Sequence, residues 1–212
     1  MYIPQHFADS DPATARALIS ENPFGLLVVS LPENRVELAH LPFVLDREPG
    51  PLGALRVHVA RGNPIGAIPP SSAVIAVFTG PHAYVSPRWY EAPQRNVPTW
   101  NFTAVHAYGV ATRIDDRDEV RRALTDLTAQ HEADAPEPWS PMRADRSYVD
   151  LLLDGIVAFT IRIERFETKM KLSQNRSPAD RSRVAAALRE RRGPGDEAVA
   201  RFMEEHAKNL DR

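Results

Sequence analysis

Half of the connections between the β-rich runs of this chain are no longer than a hairpin turn, and that property narrows the fold more than any other. Residues 25–31, 36–45, 52–60 and 73–79 are short runs of strand-forming residues, each bounded by Pro, Gly, Asn or Asp. Glu33-Asn34-Arg35 and Glu48-Pro49-Gly50-Pro51 read as hairpin loops, and Gly80-Pro81 as a tight turn separating residues 74–79 from 82–86. A long polar-aromatic strand follows over 99–114, and a last one over 156–166. Antiparallel neighbours can be joined by such turns, whereas parallel ones need a crossover of about a dozen residues or more. Six or seven strands joined in this way predict a barrel or sandwich, not a parallel sheet.

Helices frame the strands, so the class expected is mainly β with peripheral helices, an α+β fold. Ser10-Asp11-Pro12 is a helix start, with a capping side chain and Pro in the first turn, and Asn22-Pro23 is its stop. Val120, Ala123, Leu124 and Leu127 recur at helical spacing, followed by a Pro-rich, acidic loop over 131–138. Residues 147–153 make a short helix closed by Gly155. The tail reads as two helices split by Gly193-Pro194-Gly195, the second with an apolar stripe of Val199, Phe202, Met203, His206 and Leu210.

Composition removes several function classes. The 212 residues contain no cysteine, which excludes disulfides, Cys-ligated zinc, iron–sulfur clusters and thiol catalysis. Formal net charge is −2, so no global basicity drives binding to nucleic acid or membrane. No stretch approaches the ~18 apolar residues of a membrane span, and the first residues lack the basic and apolar regions of a signal peptide. A cytosolic protein with no membrane partner is the expectation. The seven histidines show no metal-helix spacing, and no metal site is expected. There is no G-x-S-x-G elbow, Walker A loop, Rossmann glycine fingerprint or evident helix-turn-helix.

What remains is a set of short polar constellations. Lys169-Met170-Lys171-Leu172-Ser173-Gln174-Asn175-Arg176 follows the last apolar run and holds two of the three lysines in the chain. Its donors and positive charge suit an anionic, polar-edged ligand such as a phosphate or a flavin ring; the alternative is a solvated basic loop. In His58-Val59-Ala60-Arg61-Gly62-Asn63-Pro64, Arg61 and Asn63 beside the Gly62 backbone suit a phosphate, or simply mark a strand exit. Period-2 alternation in Thr99-Trp100-Asn101-Phe102 puts Thr99 and Asn101 on one face, Trp100 and Phe102 on the other. Tyr84, Trp89 and Tyr90 around Ser86-Pro87-Arg88 line a slot, form an interface or cover a barrel end.

Together these segments resemble one family. Met1-Tyr2-Ile3-Pro4-Gln5-His6-Phe7, His40-Leu41-Pro42-Phe43, the stretch from His58 to Pro64, and Gly80-Pro81-His82-Ala83-Tyr84-Val85-Ser86-Pro87 through Trp89-Tyr90 all fit it. So do Val97-Pro98-Thr99-Trp100-Asn101 with Val105-His106, and the stretch from Lys171 to Arg176 with Asp180-Arg181. The chain is similar, from Met1 to about Val184, to the PaiB-type FMN-binding negative transcriptional regulators of bacteria. The resemblance implies an FMN-binding split β-barrel related to pyridoxamine-phosphate oxidases, over residues 1–176. A helical extension over 177–212 would pack on the barrel or on a dimer partner. It implies a homodimer with flavin sites at the subunit interface. By similarity, His58, Arg61, Asn63, Thr99, Trp100, Asn101, Lys171, Ser173, Gln174 and Asn175 are the cofactor-binding candidates. Gly62 departs from the pattern, where Ala is expected.

Two functional classes stay open at this point, and catalytic residues are unassigned. One is a regulatory FMN-binding protein, in which the excess of six basic over two acidic residues across 165–183 meets DNA or the flavin's own phosphate. The other is an FMN-dependent oxidoreductase, with His58, His106 or Tyr84 as proton donor. Haem binding is a third, weaker reading.

Overall fold

The structure, a computed structural model, describes residues 1–48 and 50–210, with side chains through His206. Pro49 of the expected hairpin loop, and the side chains of Lys208 and Leu210, lie outside the described residues. The order along the chain is β1 (Ala8–Asp9), α1 (Pro12–Glu21), β2 (Phe24–Leu31), β3 (Arg35–Pro42), β4 (Val44–Asp46), β5 (Ala54–Ala60) and β6 (Ser72–Val85). It continues with β7 (Thr99–Ile114), α2 (Arg117–Glu132), α3 (Arg146–Leu153), β8 (Ile156–Lys171), α4 (Pro178–Arg191) and α5 (Asp196–Leu210). One sheet runs β3-β2-β6-β7-β8-β5-β4, with β1 paired to β8. The ladders of β1 with β8, β2 with β3 and β6, and β5 with β4 and β8 are all antiparallel. Helical residues come close to strand residues in number, so the fold is more evenly α+β than the sequence suggests.

The chain forms two compact units: Ile19–Phe78 with His106–Phe166, and Met1–Leu18 with Thr79–Val105 and Glu167–Arg212. Strands β6, β7 and β8 each run from one into the other. In the first unit, β5 and β8 set Leu55 against Ile161, Val57 against Phe159 and Val59 against Val157, and all six side chains are buried. Cross-strand apolar pairs of this kind are what stabilise a sheet. Phe43 and Phe78 meet edge to face at 5.1 Å. Helix α2 buries Val120 with Ile114, Leu153 and Ala158, the stripe expected from its spacing. It ends one residue beyond His131, which was expected in the loop.

In the second unit, Asp11 accepts from the Ala13 N–H at 2.8 Å and starts α1 where the sequence placed it. The tail helices pack as a hairpin with Val184, Leu188, Val199 and Met203 buried. Between them Gly195 adopts φ +80°, and a Cβ there would lie 2.9 Å from the His82 carbonyl oxygen. Asp196, 1% exposed, accepts from Gly193 N–H at 2.7 Å and from both forks of the Arg191 guanidinium.

Three expectations about strands need correction, each for a physical reason. Gly80-Pro81 is not a turn: β6 continues through it. Gly80 is there because β7 comes close, since a Cβ would fall 2.2 Å from Thr103 Oγ1. Pro81 is tolerated because the β2 ladder ends at Val77, so the missing N–H costs no bond on that side. The run over 36–45 breaks at Phe43, whose N–H turns to the Pro23 carbonyl at 2.9 Å while its ring is buried. And β8 extends past Phe166 to Lys171, carried by the pairing of Lys169 with Ala8 and Thr168 with Asp9. Its buried residues are odd-numbered from Val157 to Ile163, with Ala158, but even-numbered from Thr168 to Leu172. That change of phase hides the strand's second half from an alternation test.

The Arg191–Asp196 pair gives a pH-dependent prediction. The guanidinium, and then the Gly193 N–H, hold the Asp196 carboxyl below its ordinary value against the opposing effect of burial. A depressed carboxylate stabilises the fold above its unfolded pKa and loses that contribution as pH falls through the folded one. Asp196→Asn should therefore lower stability at neutral pH by about 1–3 kcal/mol. The gap between variant and wild type should close as pH drops below the usual carboxylate range. Denaturant melts across pH check both halves.

Candidate functional site

The end of β8 and the start of β7 build a cleft in the unit that carries the tail helices. Thr168, Met170 and Leu172 are buried, so Lys169 and Lys171 take the other face of the strand. The chain then turns at Ser173, which adopts φ +66°. Gln174 closes the turn on itself: its Oε1 accepts from Leu172 N–H at 2.7 Å and its Nε2 donates to the Met170 carbonyl. Both its polar groups are thus committed to backbone. Ser173 and Asn101, both buried, exchange hydrogen bonds at 3.0 and 3.1 Å, and Asn101 also reaches Met203 Sδ at 3.3 Å.

The cleft has a volume of about 110 Å³. Thr99, Asn101, Lys171, Ser173 and Asn175 line it, so five of the ten candidates converge there. Phe7, Tyr90 and Arg176 complete the lining. Lys171 donates to Thr99 Oγ1 and, at 2.7 Å, to the Trp100 carbonyl. Arg176 donates to Asn96 Oδ1 at 2.8 Å and lies 4.9 Å from the centre of the Tyr90 ring. Both cations therefore have neutral partners, and no carboxylate lines the cleft. Burial lowers the pKa of Lys171, and the charges of Lys169 and Arg176 lower it further. Tyr90 is 2% exposed, and its buried hydroxyl has no hydrogen-bond partner among the described residues. Leaving such a group unsatisfied costs about 1–3 kcal/mol.

The other candidates fall elsewhere. Trp100 gives the cleft only its carbonyl. Its ring is half-exposed on the opposite face of β7, 5.6 Å from His82 and 6.3 Å from Tyr84. His58, Arg61 and Asn63 belong to the other unit. His58 is half-buried and its pKa is lowered by burial, which keeps the imidazole neutral. Arg61 donates to the Asp154 carbonyl and, at 3.1 Å, to that of Ile156. Asn63 caps a short turn, accepting from Ile65 N–H at 2.9 Å. A Cβ at Gly62 would meet nothing within 4 Å, so space does not explain the departure from Ala. Among the proton-donor candidates, Tyr84 accepts from Arg191 only at its backbone carbonyl, and the His106 ring tilts against Tyr108 at 6.3 Å. Sequence reading missed Tyr90 and Arg176 as cleft residues. For Tyr90 the sequence leaves slot, interface and barrel end open, because no periodicity marks a loop residue that turns inward.

The residues fit one end of FMN. Its phosphate needs cationic and hydroxyl donors, which the cleft holds with no competing carboxylate. Sites enclosing a whole drug-sized ligand run to about 300–1,000 Å³, so this cleft accommodates a part of the molecule.

Comparison with known proteins agrees. Residues 1–165 match the family described as "Putative FMN-binding domain". The protease synthase and sporulation protein PAI 2 of Bacillus subtilis (strain 168) is 32% identical over 209 residues, covering 98% of this chain and 99% of that protein. An uncharacterized protein of Saccharomyces cerevisiae is 31% identical over 159 residues, covering 65% of this chain and 94% of its own, so relatives are not confined to bacteria. The structure of the FAD and haem binding protein from Mycobacterium smegmatis matches with a TM-score of 0.58 at 15% identity, covering 77% of this chain and 73% of that one. At that identity the likeness is one of fold, the antiparallel split barrel. With the family match over residues 1–165 and the PAI 2 alignment running on through the cleft loop, this chain belongs to the PaiB-type FMN-binding domain family.

Proposed function

We propose that the chain binds one FMN per subunit and that the cleft between Thr99 and Arg176 takes part in holding it. The observation that carries this reading is Lys171, a partly buried cation whose partners are a hydroxyl and a carbonyl. Positive charge held from solvent without a counter-charge is favourable only toward an anionic ligand. Thr99, Asn101, Ser173 and Asn175 supply the neutral polar wall, and Gln174 holds the loop in shape. His58, Arg61, Asn63 and Trp100 enter the proposal on the resemblance alone. Bound flavin would supply electron-transfer chemistry that the side chains lack.

We further infer a cytoplasmic homodimer. Tyr90 is buried within its own chain and gives no reason for a partner. Among the exposed aromatics, Trp100 (50%) and Tyr84 (36%) cluster with His82. Aromatic surface of this kind marks interfaces, and a cleft smaller than the ligand fits a site completed by a second copy. Among the described residues no helix is long and apolar enough to cross a membrane.

A regulatory role, the one the resemblance implies, does not require direct DNA contact. Of the basic residues over 165–183, Arg165 lies 3.6 Å from the Tyr108 ring centre, Arg183 is 4.0 Å from Glu91, and Lys171 and Arg176 serve the cleft. We infer that this segment answers an anionic cofactor before DNA.

Flavin fluorescence quenching tests the core of the proposal. FMN should saturate the protein at one per chain, and Lys171→Ala should weaken binding about ten- to a hundredfold, the loss of one charge-assisted hydrogen bond. No uptake by the wild type at roughly tens of micromolar would sink the reading. For the assembly, light scattering should give twice the 23.7 kDa of one chain. Trp100→Arg should shift that mass toward the monomer, and a wild type that scatters as a monomer at micromolar concentration refutes the dimer.

A further inference from the structure

We propose that the cleft is the seat of the flavin's phosphate, and that Tyr90 and Arg176 complete it beside Lys171. This rests on the FMN reading above and goes further, because it says which end of the molecule the cleft takes and adds two residues outside the ten cofactor-binding candidates.

Three observations converge. The first is charge. Burial and the charges of Lys169 and Arg176 lower the pKa of Lys171, and Lys171 and Arg176 are each bonded only to neutral acceptors. The edge of an oxidised flavin ring is neutral and cannot compensate two cations; a phosphate dianion can. The second is Tyr90. Its hydroxyl is buried, lacks a partner among the described residues, and belongs to a residue that lines the cleft. A hydroxyl donates one hydrogen bond, and the cleft's buried acceptors are already engaged: Asn101 and Ser173 are paired to each other and Thr99 to Lys171. An incoming phosphate oxygen is the acceptor it lacks. The third is size. At about 110 Å³ the cleft admits a tetrahedral oxyanion and excludes a three-ring system.

The supporting geometry is local. Arg176 is positioned by its N–H bond to the Ser173 carbonyl at 3.0 Å and by Asn96 at its guanidinium, and its cation rests on the Tyr90 ring. Moving either residue therefore moves the other. Asn175 lines the same cleft with no partner among the described residues and adds an amide donor.

The test compares FMN with riboflavin, which differ by the phosphate alone. Wild type, Tyr90→Phe and Arg176→Gln are titrated with each flavin by fluorescence, and phosphorus NMR follows the phosphate of bound FMN. The wild type should prefer FMN over riboflavin. Arg176→Gln should weaken FMN by about tenfold or more, and Tyr90→Phe by a smaller factor, while riboflavin binding stays unchanged in both. The phosphorus resonance of bound FMN should move toward its free position in both variants, and inorganic phosphate should compete with FMN more than with riboflavin. Equal weakening of FMN and riboflavin would place these residues at the ring and overturn the proposal. So would an unchanged FMN preference in both variants, with wild-type uptake intact. Melting curves of the ligand-free variants, with Arg176→Lys as a charge-retaining control that should recover most of the affinity, separate loss of the seat from loss of the fold. A wild type that takes up neither flavin refutes the FMN reading itself, and the phosphate seat with it.

Discussion

Two long strands of this protein bury one parity of residue in their first half and the other parity in their second, and much else depends on that. In β6 the buried positions are even through Gly80 and odd from Ala83. In β8 they are mainly odd through Ile163 and even from Thr168. Because side chains alternate at a period of two, parity decides which residues meet the core and which meet a ligand. The shift in β8 is what turns Met170 and Leu172 inward and leaves Lys171 at a cleft. Without it, the lysine would face the packed interior and the cation would have to be neutralised or paired there. Fold and candidate site thus share one cause.

That same feature set the boundary of what the sequence disclosed. The Glu33-Asn34-Arg35 hairpin, a Pro-led helix start and the apolar stripes of α2 and the tail were all legible, because each is a local pattern with a local cause. So was the antiparallel arrangement. Gly80-Pro81 was misread because its glycine answers to Thr103 on the adjacent strand, a contact that no window along the chain can show. The end of β8 was misread because alternation breaks where the phase changes. The place of Tyr90 stayed open because burial of a loop aromatic is settled by what closes over it. And Gln174, which looks like a ligand, spends both its polar groups on the turn that presents its neighbours.

The cleft itself is chemically unbalanced in the absence of a ligand. Two cations with neutral partners, one hydroxyl without any, and no acidic wall are each mildly unfavourable for the fold alone. Anything that binds the native state and relieves such groups stabilises it by mass action. The ligand and the fold are therefore coupled through the same few atoms. Asn101 extends that coupling: it joins the Ser173 turn to Met203 on α5, so the tail helix touches the wall of the site.

The doubled parity also bears on how such a chain can vary over time. A substitution in β6 or β8 acts at one position, but gaining or losing one residue shifts everything on one side of the change by a full step. Strands with a single buried face can sometimes absorb this by sliding past their neighbours. Here a slide that restores one half disrupts the other, since the two halves are in opposite phase. Length differences among descendants should therefore gather in the long connection at 133–145, where no strand register is at stake, and spare these two strands even where every side chain has changed.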